Sequence, residues 1–166
     1  MYRLFFFIYI ALNILTKGLL ILSSLHGLIF FFGVLMKKRL TFADFTLLEG
    51  NIVEVVVDEN IQMTLEMVEE CHRFIDKYCQ HDFALLINRV NHYDYSYEAK
   101  LSLASYENLK AIAFVYYTVE GKNQVQQLAK MRAHDKWNVQ AFSGLNMGWQ
   151  EAYNWLQHEL LVTCEK

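Results

Sequence analysis

Between residues 41 and 166 the apolar positions switch repeatedly between the two-residue period of a strand and the three-to-four-residue period of a helix. "FADFTLLEG" and "NIVEVVVDE" predict two short strands that meet in a hairpin turn at Glu49-Gly50-Asn51. From Thr64, which stands where a helix cap is expected, Leu65, Val68, His72, Ile75 and Cys79 share one helical face. Glu66, Glu69, Glu70, Arg73 and Lys77 lie largely opposite. "FALLINRV" is a continuous apolar run, as expected of a strand covered on both faces. After a polar and aromatic loop, residues 97 to 109 predict a second helix and "AIAFVYYTV" another buried strand. A third helix follows Gly121, with Val125, Leu128, Ala129 and Arg132 on one face and Arg132 at its rim. "WNVQAFS" predicts the last strand, and residues 147 to 161 the last helix, with Ala152, Trp155, Leu156 and Leu160 turned inward.

The predicted order is ββαβαβαβα. Strands alternating with helices define the α/β class, with a mostly parallel sheet of about five strands, right-handed crossovers and the first strand antiparallel at an edge. No proline, low-complexity linker or internal repeat interrupts the chain, so residues 41–166 are predicted to form one domain.

Residues 1–40 follow neither period. Lys17 divides their apolar content into a short run and one of nineteen residues, Gly18 to Met36, close to the ~20 that a helix needs to cross a bilayer. Lys37, Lys38 and Arg39 would hold its C-terminal side in the cytoplasm. This segment is therefore expected to be an apolar helix, either a single inner-membrane anchor or a stretch upstream of a true start at Met36. In the first case the domain is tethered on the cytoplasmic side; in the second it is soluble and cytoplasmic.

Charge is split in the same place. Residues 1–39 carry five basic side chains and no acid, whereas residues 40–166 carry ten basic against all eighteen acidic ones, about −8. An acidic domain without a basic stripe argues against nucleic acid as a partner, since phosphate backbones are bound by clustered lysine and arginine. Cys71 and Cys79 fall on one predicted helix, about 12 Å apart and beyond disulfide reach, and Cys164 stands near the C-terminus. Reduced thiols in a reducing compartment are expected, with no zinc-ligand spacing and no cofactor motif.

In parallel sheets the functional crevice lies outside the carboxyl ends of the strands. The most distinctive loop there is "NRVNHYDYSYEA", residues 88–99. It supplies Asn88, Arg89, Asn91, Tyr93, Asp94 and Ser96 as candidate regulatory or partner-binding residues. Ser96 is placed to cap the second helix, or to carry a phosphoryl group at its N-terminus.

At this loop the chain resembles the STAS domain of anti-sigma-factor antagonists, and more closely the small bacterial SpoIIAA-like or STAS/Sec14-like proteins. The resemblance rests on the element order, on Asn88, Arg89, Asn91 and Tyr93 after the central strand, and on Glu151, Ala152, Trp155 and Leu156 in the last helix. It covers about residues 42–162. The antagonists present a regulatory serine in "DSSG", where this chain has "DYSYEA", keeping Asp94 and Ser96 but not the second serine or the glycine. The resemblance implies a non-catalytic STAS-like module that binds a protein partner, or a small apolar ligand by the Sec14-like comparison.

Enzyme readings are weaker. His81-Asp82 and His134-Asp135 stand at predicted element ends, where such pairs cap or solvate termini, and His72 lies on an apolar helix face. HExxH, G-x-S-x-G, P-loop and GxGxxG patterns are all missing from the sequence. A third reading keeps acid/base chemistry by His92, Asp94 and the tyrosines of the 88–98 loop. An exposed edge strand or the aromatic loop would be the surface for a homodimer.

Overall fold

The hairpin at Gly50-Asn51 closes as its sequence predicts. Gly50 and Asn51 both take positive φ, 75° and 59°, the left-handed pair that lets two antiparallel strands turn without splaying. The computed structural model describes residues 34–163, and strands and helices are numbered along that stretch. β1 (Val34–Arg39), β2 (Ala43–Leu48), β3 (Ile52–Val57), β5 (Phe83–Arg89), β7 (Leu109–Tyr116) and β8 (Val139–Ser143) form a six-stranded sheet in that spatial order. β2 and β3 are antiparallel, and β3, β5, β7 and β8 run parallel.

Three helices cross between the parallel strands: α1 (Leu65–Tyr78), α2 (Tyr97–Ser102) and α3 (Val119–Met131). Val68, Phe74 and Ile75 of α1 share a core with Ala99 of α2, Val125 and Leu128 of α3, and the sheet side chains Phe45, Val55 and Phe114. The last helix, α4 (Gly148–Thr163), packs Ala152, Leu156 and Leu160 on the other face against Ile52, Leu86 and Val115. Three helices on one face and one on the other leave β5 and β7 covered on both sides, as their unbroken apolar runs require.

The sheet has six strands, not about five, because Val34–Arg39 adds β1 at one edge, so the compact unit begins at Leu35. Arg39 ties β1 to Asp58, just beyond β3, with Nη1 2.9 Å from the carboxylate. The expected apolar N-terminal helix lies outside the described residues up to residue 33. Val34, Leu35 and Met36, its expected last three residues, are strand. Among the described residues no helix is long and apolar enough to cross a membrane.

The second helix ends at Ser102 rather than 109, because Ala104 turns into the left-handed region (φ 53°) and Arg132 takes the last carbonyls. Two two-residue strands, β4 (Gln62–Met63) and β6 (Asp94–Tyr95), pair in parallel as a separate small sheet and are too short to show a period in sequence. They matter because they position the candidate loop.

Candidate functional site

The carboxyl ends of β3, β5, β7 and β8 share one edge of the sheet, so the loops after Val57, Arg89, Tyr116 and Ser143 line it together. The 88–96 loop is bolted to the segment that leaves β3. Asn91 Nδ2 donates to the Val57 carbonyl (2.8 Å), and the His92 amide donates to Glu59 Oε2 (2.9 Å). The amides of Asn60, Asp94 and Ser96 donate to the carbonyls of His92, Ile61 and Met63 at 2.7, 3.0 and 2.8 Å. Backbone pairing on this scale makes the loop part of the scaffold.

Asn88 and Arg89, neighbours in a strand, point to opposite faces. Arg89 turns toward the three-helix face and is 6 % exposed. Its guanidinium carbon lies 4.0 Å from the centre of the Tyr93 ring and 5.8 Å from that of Tyr95. Nη2 donates to the Tyr93 carbonyl (2.9 Å) and to Gln124 Oε1 (2.6 Å), and Nη1 donates to the Tyr95 hydroxyl (3.4 Å). The Tyr95 hydroxyl in turn donates to that of Tyr93 at 3.3 Å. Burial pushes both phenols up, Tyr95 well above its ordinary value, against the opposing pull of the Arg89 charge.

Asn88, on the α4 face, donates from Nδ2 to Glu54 Oε1 (2.9 Å), which also accepts from Trp149 Nε1 (2.8 Å). Asp94 is exposed, accepts from its neighbour's amide (2.8 Å) and pairs with Lys100 (3.3 Å). Ser96 is the cap of α2, its Oγ accepting from the Ala99 amide at 3.1 Å. Of the six candidate residues, then, Arg89 and Tyr93 meet in one buried network. Asn91 and Ser96 hold backbone, and Asn88 and Asp94 stand apart.

Tyr95, one of the loop tyrosines, completes these contacts together with Gln124, Glu54 and Trp149, which no sequence motif singles out. Trp149 and Gln124 sit 61 and 35 residues from Asn88 and Arg89, and no local spacing links them. The histidine–aspartate pairs do not form base and orienter. Asp82 pairs with Lys110 (3.1 Å) and Asp135 with Arg132. His72 packs edge-on against Tyr106, ring centres 4.8 Å apart.

Behind Tyr93 and Tyr95 lies an apolar cavity of about 40 Å³, lined among others by Phe45, Val57, Cys71 and Phe114. Cys71 and Cys79 are free. Burial pushes the Cys71 thiol up to about 12, with Glu70 adding to it, and that of Cys79 to about 11. Both are therefore expected to resist iodoacetamide at pH 8 in the native protein, reacting roughly 100-fold or more slowly than after unfolding. Peptide mapping of the alkylated sites checks this.

The fold and the site define an α/β domain with a mostly parallel sheet, whose carboxyl edge carries a buried arginine–tyrosine network. Compared with protein-family models, curated proteins and solved structures, the chain has no significant match.

Proposed function

We propose that this domain is a non-catalytic, STAS-like regulatory module that holds a protein partner across the carboxyl edge of its sheet. One observation carries the reading: the loops after three adjacent parallel strands each expose large apolar side chains. Val90 follows β5 (55 % exposed), Val119 follows β7 (76 %), and Leu145 and Met147 follow β8 (72 % and 75 %). Neighbouring strands lie about 4.8 Å apart, which puts these loops side by side on one rim. Glu59, Asp94 and Glu120 stand on the same edge, so the fitting partner is an apolar segment with basic flanks. The polar side chains of the 88–96 loop are largely engaged within the domain, which suits a rigid binding edge better than acid/base chemistry.

In this reading Ser96 is the regulatory position that the resemblance implies. A phosphoryl group there would displace the Oγ that holds the Ala99 amide and would sit beside Asp94, altering the rim by local charge. The apolar-ligand reading has the apolar cavity behind Tyr93 and Tyr95 in its favour, but about 40 Å³ has room for roughly three water-sized groups.

Photo-crosslinking in the cells of origin tests the proposal, with a crosslinkable residue placed at Val119 or Met147 and, as control, at Glu69 on the exposed side of α1. The expected result is one discrete adduct from both rim positions, lost when Val90 and Leu145 are changed to aspartate. Equal adducts from Glu69, or none from the rim, would overturn the reading.

A further inference from the structure

Arg89 is a buried cation without a counter-ion. Its acceptors are the Tyr93 carbonyl, the Tyr95 hydroxyl and the Gln124 amide oxygen, all neutral, and its Nε has no partner at all. Among the described residues no carboxylate pairs with it, whereas the other buried arginine, Arg132, is paired with Asp135. A buried guanidinium is normally matched by an anion, because the charge is otherwise desolvated without compensation. Nε and Nη2 form one edge of the guanidinium, the edge that a carboxylate grips with both oxygens. Here Nη2 is shared between the Gln124 amide oxygen, from the facing helix, and the Tyr93 carbonyl, and the buried Nε has no partner.

The same arginine lines a cleft of about 380 Å³ at the carboxyl ends of β5 and β7. The N-terminus of α3, thirteen residues long, forms its other wall. Thr118 Oγ1 takes the Gly121 amide (3.0 Å). A Cβ at Gly121 would stand 3.2 Å from that oxygen and 3.7 Å from Tyr116 Cβ, so glycine keeps the first turn bare. A helix N-terminus and an arginine both favour negative charge. Two carboxylates, Glu59 and Glu120, also line the cleft, and the amide of His92 holds Glu59 in place. They would repel a doubly charged phosphate and would accept a cation.

We infer that this cleft binds a small zwitterion of the amino-acid type. Its carboxylate replaces the Gln124 oxygen on the Nε–Nη2 edge of Arg89, and its ammonium group lies toward Glu59 and Glu120. Gln124 is then a neutral placeholder that swings away on binding.

The test uses the full chain, calorimetric titration, and as probes each of the twenty common amino acids, acetate, methylammonium and inorganic phosphate. Because Arg89 variants risk misfolding, the decisive variant is Gln124→Glu, which supplies an internal carboxylate to Arg89. At least one amino acid is expected to bind ten-fold or more tightly than acetate or methylammonium. Gln124→Glu should remove that binding while raising the melting temperature, and Glu120→Gln should weaken the amino acid but not acetate. Tighter binding of phosphate than of any amino acid, undiminished binding in Gln124→Glu, or no binding by any probe would overturn the inference.

Discussion

Changing Arg132 to alanine is expected to cost about 3–5 kcal/mol of folding stability, read as a lower urea midpoint with an unchanged slope. This side chain is 7 % exposed, at the C-terminal end of α3. Nη1 donates to the carbonyls of Lys100 (2.9 Å) and Leu101 (2.5 Å), the last turn of the short α2, and Nη2 donates to Ser105 Oγ (3.0 Å). Nε pairs with Asp135, and the guanidinium lies 4.6 Å from the centre of the Trp137 ring. A six-residue helix cannot satisfy its own terminal carbonyls, so Arg132 acts as its C-terminal cap from thirty residues away. Alanine would orphan those carbonyls and leave Asp135 unpaired. Lysine would keep the charge but not the planar fork, so Arg132→Lys should recover less than half of the loss. A change below about 1 kcal/mol for Arg132→Ala would show that α2 does not depend on this cap.

The second large effect is expected at Gly148, the first residue of α4. A Cβ there would fall 2.1 Å from the Ser143 carbonyl oxygen and 2.5 Å from its carbon. Both atoms belong to the backbone at the end of β8, which is held in the sheet by its pairing with β7 and cannot yield. Gly148→Ala would push α4 off a face where it buries Ala152 and Leu156 with no exposure at all, at a cost of about 3 kcal/mol or more. Gly144 is the internal comparison. A Cβ at Gly144 meets the Tyr117 ring at 2.3 Å, but that ring can rotate away, so Gly144→Ala should cost no more than half as much. Equal midpoints for the two variants in urea unfolding would show that α4 can shift without penalty.

The roles of Arg132 and Gly148 leave no trace in the local sequence. Arg132 reads as a rim residue on the apolar face of α3, and nothing near it in sequence says that it ends another helix. Residues 97–109 keep a helical pattern beyond Ser102, and the chain stops only because a contact made thirty residues later and the turn at Ala104 intervene. Gly148 carries no special backbone angle that a motif would betray; its constraint is the closeness of β8.

The candidate site divides in the same way. That a functional edge lies after "FALLINR" follows from strand–helix alternation, and the loop's aromatic and polar content is plain in sequence. That Arg89 is buried while Asn88 faces α4 depends on which side of the sheet each helix covers. Gln124 and Trp149 enter only through long-range packing.

The sequence by itself determined the α/β alternation, the hairpin at Gly50-Asn51, the buried character of β5 and β7, and the inward face of α4. Each of these depends on periodicity or local turn chemistry within a few residues. Tertiary structure alone decided that Val34–Arg39 is a sixth strand, that β4 and β6 pin the 88–96 loop, and that Arg89 lies buried without a counter-ion beside a cleft. Those outcomes depend on hydrogen bonds and burial between residues far apart in the chain, whose energies no local pattern records.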